Sequence, residues 1–311
     1  MKRTLLLMLS ALVIGGALLA FSFTPATLPV DALPKVHVPE AHPPADMRLY
    51  AIEAGKMLSQ AAFAYRGGHF SEARTFGMGG ILVKHPQGAL LFDTGFGKDV
   101  DEHFKTIPAL MRATSRYEKE PTVAAQLHAA GIEPSALKAV ILTHAHWDHV
   151  SGLADLPGAP VWVDDQERSF IKYGDDASAL IRSFGDLPYR VYNFPSGPYL
   201  GFDKSYDVFG DGSVVLVPAS GHTPGSIIAF IATPDGKRYA LVGDLVWQTE
   251  GIELPAERPW ISRQLVDWDD ERVRALIVHM HKLKAAMPDL VIVPAHDRRV
   301  WDALPHLSDA R

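Results

Sequence analysis

Three histidines and one aspartate lie within six consecutive residues of this chain. Residues 143–149 read Thr-His-Ala-His-Trp-Asp-His and come directly after the apolar run of residues 138–142. A short run of this kind that ends in polar residues predicts a β-strand that leads into a loop. Neutral imidazole and carboxylate are good ligands for zinc and similar metals. The segment therefore predicts a metal site at a strand exit, rather than a surface loop that is rich in histidine by chance.

Three later apolar runs also predict strands, and each ends in a turn marked by Gly or Pro. The ligand-type residues at these exits are His222, Asp244 and His296. In layered α/β proteins, binding sites collect where strands end and loops begin. We therefore expect the four strand exits to converge on one site.

The order of these residues, HxHxDH followed by His, Asp and His, resembles that of the metallo-beta-lactamase superfamily of metal-dependent hydrolases. Residues 89–95 are similar to the first motif of that family, which would make Asp93 a structural aspartate near the site. The resemblance covers about residues 47–301. Strands and helices alternate in both halves, and the predicted fold class is α/β. The expected architecture is the αβ/βα four-layer sandwich of that family, with two sheets face to face and helices outside.

The resemblance implies a centre of two divalent metal ions held by five histidines and two aspartates. The implied ligands are His144, His146 and His222 for one ion, Asp148, His149 and His296 for the other, and Asp244 as the bridge between them. Two adjacent dications repel each other, so an anionic bridge is needed between them. Because the chain has no cysteine, the ligands are nitrogen and oxygen, which favours zinc, with manganese, iron or cobalt as alternatives.

Seven ligands for two ions leave coordination positions open to water and substrate, whereas a structural zinc site is usually closed. The predicted function is a hydrolase that uses a metal-bridging hydroxide to cleave a small ester or lactone, with Asp148 and Asp244 as its catalytic residues. A phosphotriester or phosphodiester hydrolase on the same site is an alternative. An iron-dependent redox or metal-binding protein of the same fold is an alternative of another class.

Within the superfamily, the layout looks like the N-acyl-homoserine lactonase branch. Asp244 argues against a true β-lactamase, which lacks the bridging carboxylate. The lactonases place a tyrosine three residues after the bridging aspartate, and this chain has Trp247 there. Tryptophan donates one N–H but is not an acid. We expect Trp247 to line an apolar pocket with Trp147 or Phe96, so acyl-homoserine lactone need not be the best substrate.

The N-terminus predicts a targeting segment, because Lys2 and Arg3 precede an apolar stretch. We expect residues 1–23 to be a signal peptide or an N-terminal anchor, residues 24–46 a proline-rich linker, and residues 47–311 the hydrolase domain. The predicted location is periplasmic or secreted, with membrane contact only through an uncleaved N-terminal segment.

The formal net charge of the chain is −6, and no run of Lys or Arg alternates with aromatic residues. Nucleic acid is therefore an unfavourable partner on electrostatic grounds, and the predicted partner is a small-molecule substrate. A second HxH pattern, at His279 and His281, lies in the helix predicted over residues 270–287. Residues two apart on a helix point about 200° away from each other, so this pair is not expected to bind one ion.

Overall fold

The computed structural model describes residues 2–32 and 36–309. Two β-sheets lie face to face, and helices cover their outer surfaces. The predicted α/β class and αβ/βα four-layer sandwich are confirmed. Among the described residues, no helix is long and apolar enough to cross a membrane.

The first sheet has seven strands in the order β4-β1-β2-β3-β5-β6-β7 and the second has five in the order β12-β11-β10-β9-β8. The strands of the first sheet are β1 (Arg48–Gln60), β2 (Ala73–Lys84), β3 (Ala89–Phe92), β4 (Arg116–Lys119), β5 (Leu137–Ile141), β6 (Val161–Asp164) and β7 (Tyr189–Tyr192). The strands of the second sheet are β8 (Tyr206–Asp207), β9 (Val214–Pro218), β10 (Ile227–Ala232), β11 (Arg238–Gly243) and β12 (Leu290–Pro294).

The helices vary from single turns to α1, which spans 21 residues, and α11, which spans 17. In chain order they are α1 (Lys2–Ser22), α2 (Ala61–Ala64), α3 (Val100–His103), α4 (Ala109–Thr114), α5 (Val123–Ala129), α6 (Trp147–Val150), α7 (Asp165–Tyr173), α8 (Ala179–Ser183), α9 (Glu250–Glu253), α10 (Trp260–Val266), α11 (Asp270–Ala286) and α12 (Arg298–Trp301). A Pro at its first position and Gly131 just past its end predict a helix over residues 121–130. This helix and the one predicted over residues 270–287 correspond to α5 and α11.

Three apolar layers hold the sandwich together. Between the sheets, Phe92 and Ile141 of the first sheet join Leu216 and Leu241 of the second. On the other face of β5, Val140 belongs to the layer that the first sheet shares with α5, α7 and α8. This alternation follows from the two-residue period of a strand. The second sheet packs its outer face against α11.

Strand direction brings the predicted exits to one edge of the molecule. Strands β3, β5, β6 and β7 are parallel to one another. In the second sheet, β9 and β11 are both antiparallel to β10, and β12 is parallel to β11. The exits of β9, β11 and β12 therefore lie at the same edge. A backbone hydrogen bond of 3.0 Å from Ile227 to the Thr143 carbonyl joins this edge to the exit of β5.

The first two strands are longer than their sequence predicts. Residues 47–52 and 80–84 predict short strands, but in the structure the first extends to Gln60 and the second begins at Ala73. The two strands pair along their whole length, with a bulge between Glu53 and Gly55. Glycines interrupt the apolar pattern of β2, which hides the strand in the sequence. One of them is required by packing, since a Cβ on Gly79 would lie 2.1 Å from the Ile52 carbonyl oxygen.

The predicted linker runs against the domain. Residues 24–32 and 36–44 form neither helix nor strand. Backbone hydrogen bonds of 2.8 Å join Leu28 to Pro255 and His42 to Asp211. The predicted signal peptide or anchor corresponds to α1, whose backbone is described from Lys2 onward. The side chains of Lys2, of Arg3 and of residues 5–9 and 11 lie outside the described part of the structure. The signal peptide or anchor therefore stays a prediction.

Candidate metal centre

All seven predicted ligands meet at the edge where the strand exits converge. The loop after β5 carries His144 and His146, and the single turn of α6 carries Asp148 and His149. The other three ligands, which follow β9, β11 and β12, are His222, Asp244 and His296. The second half of the HxHxDH motif is helical, where a loop was expected. This turn directs His149 back toward His144, with 3.9 Å between the ring centroids.

The donor atoms form two three-residue groups and a link between them. In each group, one donor atom per residue lies within 4.8 Å of the others. The groups are His144, His146 and His222, which we name the three-histidine group, and Asp148, His149 and His296, which we name the aspartate group. A third cluster of His144, His149 and Asp244 overlaps both.

Asp244 lies between the two groups and offers one carboxylate oxygen to each. Its Oδ1 lies 3.2 Å from His149 Nε2 and 3.0 Å from His296 Nε2, which both belong to the aspartate group. Its Oδ2 lies 3.6 Å from His222 Nε2 in the three-histidine group. This is the position that a bridging ligand between two ions requires.

The donor atoms fit metal ions better than they fit each other. His144 and His222 direct their Nε2 atoms at each other over 3.2 Å. His149 Nε2 and Asp244 Oδ1 are buried, and although they lie 3.2 Å apart, neither atom makes a hydrogen bond with a described residue. Such unpartnered buried polar atoms are costly, and a bound cation would satisfy them.

The second ring nitrogen of several histidines is occupied, which leaves Nε2 free for a metal. Three Nδ1 atoms lie 2.8 Å from an acceptor, which is Asp93 for His149, Asp267 for His222 and the Gly77 carbonyl for His296. Asp93 also accepts hydrogen bonds from the Thr143 backbone N–H and hydroxyl, at 2.7 and 2.6 Å. The family's structural aspartate thus has a direct counterpart in the contacts of Asp93.

Burial sets the charge state of the ligands. Burial and the neighbouring imidazoles lower the pKa of His144 and His146 well below its ordinary value, so both rings are neutral. Burial by itself would raise the pKa of Asp244, but the imidazoles of His296 and His149 hold that pKa well below its usual range. Neutral imidazole and ionised carboxylate are the forms that bind metal. For His149 and His296 burial would lower the pKa, but the nearby carboxylates, Asp93 and Asp244 for His149 and Asp244 for His296, raise it.

Two buried residues that support the centre were not predicted from the sequence. The Asp267 carboxylate contacts both His222 and the guanidinium of Arg258. Arg258 also donates a hydrogen bond of 2.8 Å to the carbonyl oxygen of Asp244. In the sequence, Asp267 lies just before α11, where an aspartate is typical of a helix cap. Arg258 lies in a loop and belongs to no recognisable motif. Only their buried mutual contact indicates a role.

A cavity of about 480 Å³ opens beside the centre. His146, Asp148 and His296 form its floor together with Asp244, and most of its wall is apolar. The apolar side chains include Met57, Phe63, Phe76, Met78, Ile107 and Leu180. The ligand groups therefore face a space of the size that binds small organic molecules.

Trp247 and Trp147 line the cavity, as expected. Phe96 does not line it and is buried behind Trp147, with 5.5 Å between the ring centroids. The indole N–H of Trp247 donates a hydrogen bond of 2.7 Å to Asp244 Oδ2. This donor is therefore already used within the protein.

The HxH pattern in α11 is separate from the centre. His279 Nε2 lies 3.0 Å from the Leu200 carbonyl oxygen, and His281 Nδ1 lies 2.8 Å from the Ile252 carbonyl oxygen. The two rings thus contact different backbone segments.

Comparison with known proteins agrees with the resemblance. The family model for the metallo-beta-lactamase superfamily matches residues 80–296. A probable metallo-hydrolase of Mycobacterium tuberculosis is 32% identical over 234 residues, which are 70% of this chain and 73% of that protein. The N-acyl homoserine lactonase AttM of Agrobacterium fabrum is 27% identical over 232 residues, 71% of this chain and 82% of the lactonase.

A similar fold occurs in the solved structure of an N-acyl homoserine lactone hydrolase with the product N-hexanoyl-L-homoserine bound at the catalytic metal centre. The TM-score is 0.65 at 19% identity, over 83% of this chain and 96% of that one. At this identity the likeness concerns the fold. The family match spans most of the chain, and it includes every predicted ligand. The chain therefore belongs to the metallo-beta-lactamase superfamily and is a metal-dependent hydrolase.

Proposed function

We propose that this protein binds two divalent metal ions, most favourably zinc, and hydrolyses a small, neutral ester or lactone. The three-histidine group would hold one ion, the aspartate group the other, and Asp244 would bridge them. Bound ions of this kind would lower the pKa of water to near neutrality and polarise the substrate carbonyl. The observation that carries the proposal is the apolar cavity, whose floor is made of the two ligand groups.

The residues of the chain have separate tasks in this proposal. The indole N–H of Trp247 fixes Oδ2 of Asp244 through a hydrogen bond of 2.7 Å. The half-buried carboxylate of Asp148 lies at the cavity floor, where it would accept a proton from the attacking water and pass it to the leaving oxygen. The apolar wall would hold the acyl or aryl group and exclude water from it.

The cavity favours a neutral substrate over an anionic one. Of the described residues that line it, none is Lys or Arg, and Asp175 and Asp176 add negative charge. Its hydroxyl groups are also occupied by backbone carbonyls, for example Ser59 by Thr114 and Ser262 by Phe63. An anionic phosphodiester would find positive charge only at the proposed metal ions and none along the wall, where Asp175 and Asp176 would repel it. Esters, lactones and phosphotriesters carry no such penalty.

The relative named as an N-acyl homoserine lactonase supports lactones as one substrate class. The N–H of Trp247 is engaged by Asp244 and is not available to a substrate carbonyl. Aryl esters, which have good leaving groups, are therefore an equal expectation. A phosphotriester hydrolase is the second candidate, because the same neutral cavity accepts it. The redox alternative has no support, since the named relatives are hydrolases or lactonases.

A substrate panel on the zinc-loaded protein tests the proposal. The panel contains a γ-lactone, an aryl ester, a phosphotriester, a phosphodiester and a β-lactam, with Asp148→Ala as the inactive control. We expect turnover of the neutral esters or lactones and negligible turnover of the phosphodiester and the β-lactam. Faster hydrolysis of the phosphodiester than of every neutral substrate would refute the assignment.

We further propose that the protein acts outside the cytoplasm, on the basis of the positive and apolar N-terminal sequence. Expression of the full chain in a bacterial host, followed by fractionation and mass measurement, tests this. We expect either a mature chain that lacks about the first 23 residues in the periplasm or a full-length chain in the membrane fraction. A full-length chain in the cytosol alone would contradict export.

A further inference from the structure

Glu167 is a buried carboxylate outside the seven proposed ligands. It lies in α7, its exposed fraction is only 1%, and it forms no ion pair with any described residue. A buried carboxylate without a cation is unfavourable unless hydrogen bonds satisfy its oxygens. The question is therefore which groups donate to it.

Three donors surround Glu167, and all of them belong to the two loops that carry the three-histidine group. Oε1 accepts from the backbone N–H of Ala145 at 2.6 Å. Oε2 accepts from the hydroxyl of Thr223 at 2.7 Å and from the backbone N–H of Gly225 at 3.0 Å. Ala145 lies between His144 and His146, and Thr223 follows His222. One side chain thus joins a loop of the first sheet to a loop of the second.

Glu167 itself is firmly placed. Asp164 precedes α7, and its Oδ1 accepts the backbone N–H of Glu167 at 2.7 Å. Gly225 packs directly on this helix start, because a Cβ at that position would lie 2.1 Å from Glu167 N and 2.2 Å from Asp164 Oδ1. The carboxylate therefore has little freedom to shift relative to either loop.

We propose that Glu167 is a positioning residue that sets the spacing of the three-histidine group, and so its affinity for one of the two metal ions. This rests on the proposed metal centre. Its two oxygens accept from donors on both loops at once, so the rings of His144 and His146 are held opposite that of His222. A glutamine would turn an NH₂ group toward one set of donors and release one loop.

The free-energy cost of ionising Glu167 indicates that the residue positions the loops rather than stabilises the fold. Burial, opposed by the hydrogen bonds from Thr223 and Ala145, raises the pKa of Glu167 from 4.5 to about 7. The ionised form is therefore disfavoured in the folded protein. A residue present only for stability would have no need of a charge that costs free energy at neutral pH.

The test compares metal binding by the full-length protein and its variants Glu167→Gln, Asp164→Asn and His146→Ala. Zinc affinities are measured by competition with a chromophoric chelator, and cobalt absorption spectra report on the ligand geometry. In Glu167→Gln we expect one ion to bind about 10–100-fold more weakly, the range found for residues that orient ligands, and the other to bind as in the wild type. The affected ion should be the one that His146→Ala loses.

Asp164→Asn is the matched control, because it removes a buried charge beside Glu167 while its amide oxygen can still accept the backbone N–H of Glu167, and it has no hydrogen bond to either loop. We expect it to retain both affinities. Unchanged affinities in Glu167→Gln would overturn the proposal, and so would equal weakening of both ions together with a lower Tm. If Glu167→Gln does not fold, Thr223→Val removes one of the three donors and must weaken the same ion. If the wild type binds fewer than two ions, the proposed metal centre fails instead.

Discussion

At the scale of single residues, several of the proposed ligands also make hydrogen bonds within the protein, and these bonds affect metal affinity and substrate preference. Trp247 donates to Asp244 and stands at the cavity wall, where the lactonases that this chain resembles have tyrosine. We expect Trp247→Tyr to raise the rate on a γ-lactone relative to an aryl ester, because it places an acidic hydroxyl beside the substrate carbonyl. The ratio of the two kcat/KM values measures this. Trp247→Phe, which lacks the hydroxyl, is the control, and an equal ratio in both variants would remove position 247 from the substrate site.

Asp267 is the residue through which His222 is held. We expect Asp267→Asn to weaken zinc binding about 10–100-fold, because a neutral amide oxygen accepts from the Nδ1–H of His222 less strongly than the carboxylate does. Asp267→Ala should in addition lose about 3–5 kcal/mol of unfolding free energy, since it leaves the buried Arg258 without its partner. Chelator competition and urea unfolding separate the two effects. Wild-type zinc affinity in Asp267→Asn would contradict the orienting role.

The raised pKa of Glu167 makes a prediction about stability and pH in the metal-free protein. The folded-state pKa of about 7 lies above the unfolded value of 4.5. The contribution of Glu167 to the unfolding free energy is therefore fully present below about pH 4.5 and is lost as the pH rises through about 7. Relative to Glu167→Gln, the wild type should lose up to about 3 kcal/mol of unfolding free energy over this range. Burial also raises the pKa of Asp164, to about 6. Because both proteins contain Asp164, its effect cancels in the difference between their unfolding free energies. Urea unfolding of both proteins in a chelator at pH 5 and pH 8 measures the difference, which should not stay constant.

At the scale of elements, the start of α11 is joined to the loop that carries His222. Backbone hydrogen bonds of 3.0 and 2.8 Å connect Trp268 to the His222 carbonyl and Asp269 to the Gly221 carbonyl. Asp269 also caps the helix, because its side chain accepts from the N–H groups of Glu271 and Arg272. The helix that covers the second sheet thus also positions one ligand loop.

We expect Asp269→Ala to lower the unfolding free energy by about 1 kcal/mol, the usual effect of losing an N-cap side chain. Thermal unfolding of the zinc-loaded protein measures it. Glu271→Ala is the control, since this exposed first-turn residue is expected to change the free energy by only a few tenths of a kcal/mol. Equal effects of the two substitutions would show that the cap contributes little.

At the scale of the whole molecule, the ligands come from both sheets. Four follow β5 of the first sheet, and three follow strands of the second sheet. Bound ions would therefore connect the two halves of the sandwich. Free zinc at about 1,000 times its Kd should add about 4 kcal/mol per site to the unfolding free energy. Tm measured with and without a chelator tests this, and a Tm that does not depend on zinc would contradict metal binding by the folded protein.

Local features of the amino-acid sequence determined the family and the set of proposed ligands. The exits of β5, β9, β11 and β12 were predictable because short apolar runs end in turns with ligand-type residues. A strand such as β3 is defined by its own residues, since the apolar run of residues 89–92 predicts the bounds that the structure has. The order of the motifs then limited the fold to two sheets with helices outside.

Tertiary structure alone decided the contacts that join distant segments. The full lengths of β1 and β2 depend on their pairing with each other, which glycines conceal in the sequence. The contacts of Glu167 with Ala145 and Thr223 span 22 and 56 residues. No local pattern marks such a pair, because its free energy depends on burial and on donors that only the folded chain brings together. The sequence by itself therefore determined which residues would meet at the centre, and the fold decided what holds them there.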